Sequence, residues 1–261
     1  MDKFIFKKKF GQNFLKDENI LNKIINVSDI KDNSLIIEVG PGNGALTSKL
    51  IDTGNTVLSY EIDSDLESIL LDKFKDKENF NLIMGDFLDR DIKEDIKDFK
   101  YENIYLVANL PYYITTPIIN KVIEEIDVDK MVIMVQKEVG DRLSSKVGSR
   151  DYSSLTVFLN YYFDIKKEFI VGKNCFVPSP NVDSAIVSLT KKENRLYVKD
   201  MDLFERLVRD SFQFKRKNLR NNLKGYDLEK IEDILIQNGF DLTSRGEVIP
   251  LEVFVEISNN L

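Results

Sequence analysis

The sequence predicts an α/β protein, with a mostly parallel sheet carrying helices on both faces and a small helical domain after it. Three observations predict this. Short apolar runs alternate with helical patterns through the first two-thirds of the 261 residues. A glycine-rich turn, Gly40-Pro41-Gly42-Asn43-Gly44, falls between an apolar run and a helical pattern. Beyond about residue 200 only helical patterns remain. Strands alternating with helices mark βαβ units and a parallel sheet.

The elements follow in order. Leu35–Val39 is an unbroken apolar run apart from Glu38, the pattern of a strand buried on both faces, and a helix follows from Ala45 to about Asp52. Thr56–Tyr60 is the next strand, with a helix near Asp65–Phe74, and Asn81–Met84 is a third strand. Asn103–Ala108 is a fourth, followed by a helix over Thr116–Glu125, and Met131–Gln136 is a fifth. Leu155–Tyr162, Phe169–Val171 and Val182–Leu189 have strand character with less helix between them, which suggests an antiparallel edge. Composition shifts near Lys191–Asp200. Helical patterns then cover Met201–Phe212, Arg216–Asn222, Leu228–Gln237 and Leu251–Asn259, punctuated by Gly225 and Gly239. The expected domains are therefore 1–192, carrying the nucleotide-type turn, and 193–261, helical.

Composition narrows the chemistry. The chain has no histidine and one cysteine, Cys175. That excludes an intrachain disulfide, histidine-dependent nucleophilic sites and Cys/His zinc sites, and leaves a carboxylate-bound Mg²⁺ open. No apolar stretch reaches the roughly 18–20 residues of a membrane span, and the basic start, Met1–Phe10, lacks the apolar run of a secretory signal. A cytoplasmic location is the expectation. The formal net charge of −7 argues against a nucleic-acid partner, but its distribution argues for one. Lys7, Lys8 and Lys9 form one basic cluster. Lys215, Arg216, Lys217, Arg220 and Lys224 form a second, with no acid between Phe214 and Lys224. Binding through such patches is expected to be strongly salt-sensitive.

The glycine turn admits two ligands. Gly40-x-Gly42-x-x-Ala45 fits the loose dinucleotide pattern, with Glu61 at the spacing of a ribose partner. Glu38 tips the balance, because it would repel a pyrophosphate at close range and suits the cationic amino and sulfonium groups of S-adenosylmethionine. An ionised Glu61 has two oxygens for the two ribose hydroxyls. Asp86, after the third strand, can accept from an adenine amino group, with Phe87 packing beside the ring. Asn109-Leu110-Pro111-Tyr112 follows the fourth strand. Its chemistry suits the exocyclic amine of adenine, whose lone pair is delocalised into the ring. The Asn109 side-chain oxygen and the Leu110 carbonyl are acceptors for the two N–H bonds, which would localise that lone pair. Pro111 stiffens the turn, and Tyr112 offers a ring on which an unstacked base can lie.

The chain resembles the KsgA (RsmA) family of small-subunit rRNA adenine dimethyltransferases over essentially its full length. The resemblance is carried by Lys9–Leu15 (KFGQNFL), Glu38–Thr47, Asn109–Pro117 and Cys175–Ser184 (CFVPSPNVDS). It implies the Rossmann-like sheet of class I methyltransferases and S-adenosylmethionine as cofactor without a metal. It also implies dimethylation of the N6 amino groups of two adjacent adenosines near the 3′ end of small-subunit rRNA, within an assembling subunit, by a chain that is a monomer when free. Asn13, Leu15, Gly40, Glu61, Ile62, Asp86, Phe87 and Asn109 would line the cofactor site. Tyr112 and Phe176 would sandwich the target base, with Phe176 exposed as a pocket wall. The basic segments and the helical domain would dock on rRNA. Lys146–Tyr152 (KVGSRDY) lacks the proline expected in that loop. Two other readings remain: the sister class that dimethylates large-subunit rRNA and confers macrolide resistance, and a ribosome-assembly factor acting by binding.

Overall fold

The computed structural model describes residues 13–261; Lys7, Lys8 and Lys9 lie outside them. It opens with strand β1 (Phe14–Leu15) and helix α1 (Glu18–Ser28). Asp17 starts α1 by accepting hydrogen bonds from the backbone N–H groups of Asn19 at 2.9 Å and Ile20 at 3.3 Å. There follow β2 (Ser34–Val39), α2 (Ala45–Ile51), β3 (Thr56–Glu61), α3 (Glu67–Lys73), β4 (Phe80–Met84), α4 (Ile92–Ile96), β5 (Asn103–Asn109), α5 (Thr115–Glu125), β6 (Lys130–Gln136) and α6 (Lys137–Leu143). Next come α7 (Ser154–Tyr162), β7 (Phe163–Val171), β8 (Phe176–Val177) and β9 (Ser184–Lys191). Helices α8 (Met201–Ser211), α9 (Leu219–Asn222), α10 (Leu228–Gln237) and α11 (Leu251–Asn260) complete the chain.

The main sheet has seven strands in the order β4-β3-β2-β5-β6-β9-β7. The five strands from β4 to β6 run parallel, and β9 pairs antiparallel with β6. This is the doubly wound arrangement expected, with its antiparallel edge. All six residues of β2 are buried, as its apolar run requires of a central parallel strand. Chain order reverses direction between β2 and β5, and ligands of such sheets bind beyond the carboxyl ends of the strands at that reversal. A separate two-stranded ribbon joins β1 to β8, with Leu15 opposite Phe176.

Two of the expected elements take another form in the structure. Leu155–Tyr162, expected as a strand, is helix α7. Its β-branched and aromatic side chains suit a strand, but Ser153 and Thr156 form a reciprocal capping box that starts a helix. Arg216–Asn222 is helical only from Leu219. Asn218 begins that helix by accepting from the Asn221 N–H at 3.2 Å. Asn222 Nδ2 donates to the Ser211 carbonyl at 2.8 Å, which helps fix the chain before it as a turn.

The chain divides into two compact units, one holding residues through Gly140 together with Lys166–Thr190, the other Asp141–Ile165 together with Lys191–Leu261. These units group residues 141–165 with the C-terminal segment, where the expected division has one boundary at 192/193. The reason is apolar packing: Tyr152, Val157 and Tyr161 share a buried cluster with Phe204, Leu207, Leu235 and Phe254. The first unit has its own core, in which Ile36, Leu50, Leu70, Tyr105 and Val132 pack together. No described helix is long and apolar enough to cross a membrane.

Candidate active site

The carboxyl ends of β2, β3 and β5 meet at one cleft, which encloses about 810 Å³ including its open mouth. Its lining includes Asn13, Phe14, Leu15, Glu38, Gly40, Glu61, Ile62 and the tetrapeptide from Asn109 to Tyr112. Residues far apart in sequence thus converge on one wall, which is what the switch point of the sheet provides.

The glycine turn forms the floor. Gly40, Gly42 and Gly44 all have left-handed backbone, with φ of 73°, 58° and 74°. A Cβ at Gly42 would also meet the Phe14 ring at 2.9 Å, so the ring would have to move to admit a larger residue. A Cβ at Gly40 would meet nothing within 4 Å. Lys73, from the end of α3, donates to the carbonyls of Asn43 at 2.8 Å and Gly44 at 2.9 Å, clasping the turn from outside.

Two buried acids face this floor. Glu61 ends β3 and accepts from the N–H of Gly42 at 3.1 Å and of Asp63 at 2.9 Å, so the carboxylate braces the turn. Burial raises its pKa, against the backbone donors that lower it. Glu38, only 1% exposed, accepts from the hydroxyls of Thr47 at 2.8 Å and Ser59 at 2.7 Å. Burial pushes its pKa up to about 7 despite those hydrogen bonds. A raised carboxyl pKa means the folded state holds a proton that the unfolded state has released. Its favourable linkage is complete below the ordinary value of 4.5 and is lost as pH rises through about 7. Glu38→Gln should therefore flatten the fall in stability between pH 5 and pH 7.5. The expected size is about 3 kcal/mol at most, and thermal melts across that range check it.

The tetrapeptide is held at several points. The Asn109 Nδ2 donates to the Asn13 carbonyl at 3.1 Å, which turns its oxygen the other way. The Leu110 N–H donates to the Met134 carbonyl at 3.2 Å. The Tyr112 hydroxyl lies 2.7 Å from the Ser184 hydroxyl, and burial raises the Tyr112 pKa, keeping the phenol protonated.

Three expected residues are not part of this lining. Asp86 and Phe87 are outside the cleft lining. Asp86 accepts from the Leu88 N–H at 2.9 Å, and Phe87 packs edge-on to Tyr60 with ring centres 5.0 Å apart. Phe176, expected as an exposed wall, is 3% exposed. It pairs with Leu15 and joins the core cluster that also holds Val171 and Ile186, so its proline-flanked surroundings do not bring it to the surface. Sequence reasoning missed Lys73, Thr47, Ser59 and Ser184. Lys73 and Ser59 belong to no quoted motif, and although Thr47 and Ser184 end two of them, the sequence does not show their hydrogen-bond partners. In the second unit, Lys215, Arg216, Lys217, Arg220 and Lys224 are all exposed. Arg220 pairs with Glu232 at 3.1 Å.

Residues 3–260 match the model of the ribosomal RNA adenine dimethylase family. The chain belongs to that family. Among curated relatives, the ribosomal RNA small subunit methyltransferase A of Fusobacterium nucleatum is 46% identical over 261 residues, covering 97% of each chain. The protein of the same name from Clostridium acetobutylicum is 40% identical over 262 residues, covering 99% of this chain and 94% of that one. Two solved structures are also similar. The 23S rRNA methyltransferase ErmE matches with a TM-score of 0.78 at 26% identity, covering 95% of this chain and 99% of that one. A dimethyladenosine transferase from Plasmodium falciparum matches with a TM-score of 0.76 at 27% identity, covering 93% and 95%. The family's sheet and helical C-terminal segment are those described above.

Proposed function

We propose that this chain dimethylates the N6 amino groups of two adjacent adenosines near the 3′ end of small-subunit rRNA, within an assembling subunit in the cytoplasm, as a monomer when free. The observation that supports this most is the convergence of the glycine turn, Glu61 and the Asn109–Tyr112 tetrapeptide on one cleft, in a chain that matches an rRNA adenine dimethylase model from end to end. The enzyme is an S-adenosylmethionine-dependent methyltransferase. The cleft fits that cofactor: its open floor at Gly40 admits a ligand against the backbone, and its buried acids suit a cationic nucleoside and disfavour a pyrophosphate. When bound, the cofactor supplies an electrophilic methyl group.

The protein's own part is positional. Asn13, Leu15, Gly40, Glu61, Ile62 and Asn109 hold the cofactor, Glu61 through the ribose hydroxyls. Asp86 and Phe87 are assigned the adenine end on the strength of the resemblance. The Asn109 oxygen and the Leu110 carbonyl accept the N–H bonds of the target amine and localise its lone pair. Pro111 stiffens the turn, and Tyr112 carries the base. Phe176, paired with Leu15, is assigned the other face of the base on the strength of the resemblance. Lys215, Arg216, Lys217 and Arg220 contact rRNA phosphates, as do Lys7, Lys8 and Lys9.

Lys73→Met keeps the aliphatic stem but releases the carbonyls of Asn43 and Gly44. Cofactor affinity should fall about tenfold, the effect of losing one hydrogen-bonded charge, with melting temperature nearly unchanged. Calorimetric titration with S-adenosylmethionine checks it.

The function itself is tested by offering labelled cofactor to immature small subunits and to naked large-subunit rRNA. Label in the small-subunit rRNA alone is the expected result. Label only in large-subunit rRNA would assign the chain to the macrolide-resistance class, and binding of subunits without label would leave it an assembly factor.

A further inference from the structure

The tetrapeptide's aromatic ring has a fixed point that neither its sequence nor its neighbours in the chain supply. Ser184 is the first residue of β9 and is completely buried. It stands opposite Gln136 in the antiparallel pairing with β6, so its position is set by the central sheet. The preceding residue is anchored as well. The Asp183 carbonyl accepts from the Lys137 N–H at 2.9 Å, and its carboxylate accepts from the Lys173 N–H at 3.0 Å. The Ser184 hydroxyl then lies 2.7 Å from that of Tyr112. The bonds at Asn109 and Leu110 hold the front of the tetrapeptide. They leave the tyrosine ring free to swing about its two side-chain torsions. A hydrogen bond at the far end of the ring stops the swing about the first of them, because that motion would carry the hydroxyl away from Ser184.

We propose that Ser184 is a positioning residue that holds the Tyr112 ring in place as the platform for the target base. The inference rests on the reading of Tyr112 as that platform. A base stacks well on a ring already held in place, because the entropy of ordering the ring is not lost at the moment of binding. The serine touches neither cofactor nor base. Its effect should show in base stacking and in kcat/KM for the RNA, and not in cofactor affinity.

The experiment is a double-mutant cycle of Tyr112→Phe and Ser184→Ala. It is read by kcat/KM and by the fluorescence quench of 2-aminopurine placed at the target position in small-subunit particles. Each single change should lower kcat/KM by about 2–10-fold, the range for one neutral hydrogen bond, and weaken the quench. The double variant should do no worse than either alone, and calorimetric cofactor affinity should stay the same in all three. Losses that multiply in the double variant, or no loss in Tyr112→Phe, would overturn the proposal. If Ser184→Ala fails to fold, Tyr112→Phe alone decides, since it removes the same bond and keeps the ring. Tyr112→Ala separates the two readings: an unchanged quench there would sink the platform itself, whatever the cycle shows.

Discussion

Asn109→Ala should lower kcat for methyl transfer by about 10²–10³-fold, the range seen when a preorganised hydrogen-bonding group at a reacting centre is removed, while small-subunit binding stays nearly intact. The argument begins with the nucleophile. The exocyclic nitrogen of adenine is planar, and its lone pair must leave the ring system before it can attack. An acceptor aimed at an N–H bond favours the tetrahedral form in which the lone pair is localised. In this protein the Asn109 amide is oriented before any substrate arrives, because its nitrogen donates to the Asn13 carbonyl at 3.1 Å. Alanine removes the acceptor and leaves that carbonyl without its donor. Since the acceptor gains strength as the amine pyramidalises, the loss should fall on kcat and leave KM for the RNA within a few-fold. Single-turnover methylation beside sedimentation binding measures both. Turnover at the wild-type rate would show that amine activation lies elsewhere.

Glu61→Gln should weaken S-adenosylmethionine binding by about 10–150-fold, corresponding to roughly 1.5–3 kcal/mol for hydrogen bonds to a charged group. The carboxylate has two duties at one place. It accepts from the backbone of Gly42 and Asp63, and it is the proposed partner of the ribose hydroxyls. A glutamine fills the same space but must point its NH₂ at one of those backbone donors, so the brace of the turn is broken. Burial at 4% exposure leaves no water to compensate. Comparing S-adenosylhomocysteine with its 2′,3′-dideoxy analogue separates the duties. The wild-type protein should prefer the intact ribose, and the variant should show little preference. Equal preference in both proteins would reduce Glu61 to a strut.

The sheet was legible in the sequence because central parallel strands are buried on both faces, and runs such as Leu35–Val39 and Asn103–Ala108 have nowhere else to go. The cleft was legible for a related reason. Its chemistry sits at strand ends, where Glu61 and Asn109 are set off from the apolar run before them. What escaped detection depended on partners distant in the chain. Phe176 reads as exposed until β8 is seen to pair with β1. Leu155–Tyr162 reads as a strand because its residue types outweigh the single local signal at Ser153 and Thr156. Ser184 ends a motif quoted for the resemblance, but its role stays hidden until a tyrosine 72 residues earlier meets it.

The return of residues 141–165 to the company of the C-terminal helices has a consequence for how this protein can be taken apart or recombined. The chain passes from one packing unit to the other at Gly140, Ile165 and Thr190. The C-terminal helices are therefore no detachable cassette. A graft that exchanges only the residues after 192 between family members would keep the host's Tyr152, Val157 and Tyr161 while replacing the surfaces they pack against. Functional chimaeras should require crossovers at all three points, so that residues 141–165 travel with the tail. Natural recombination within the family would face the same constraint, and the two segments should diverge together as one inherited block.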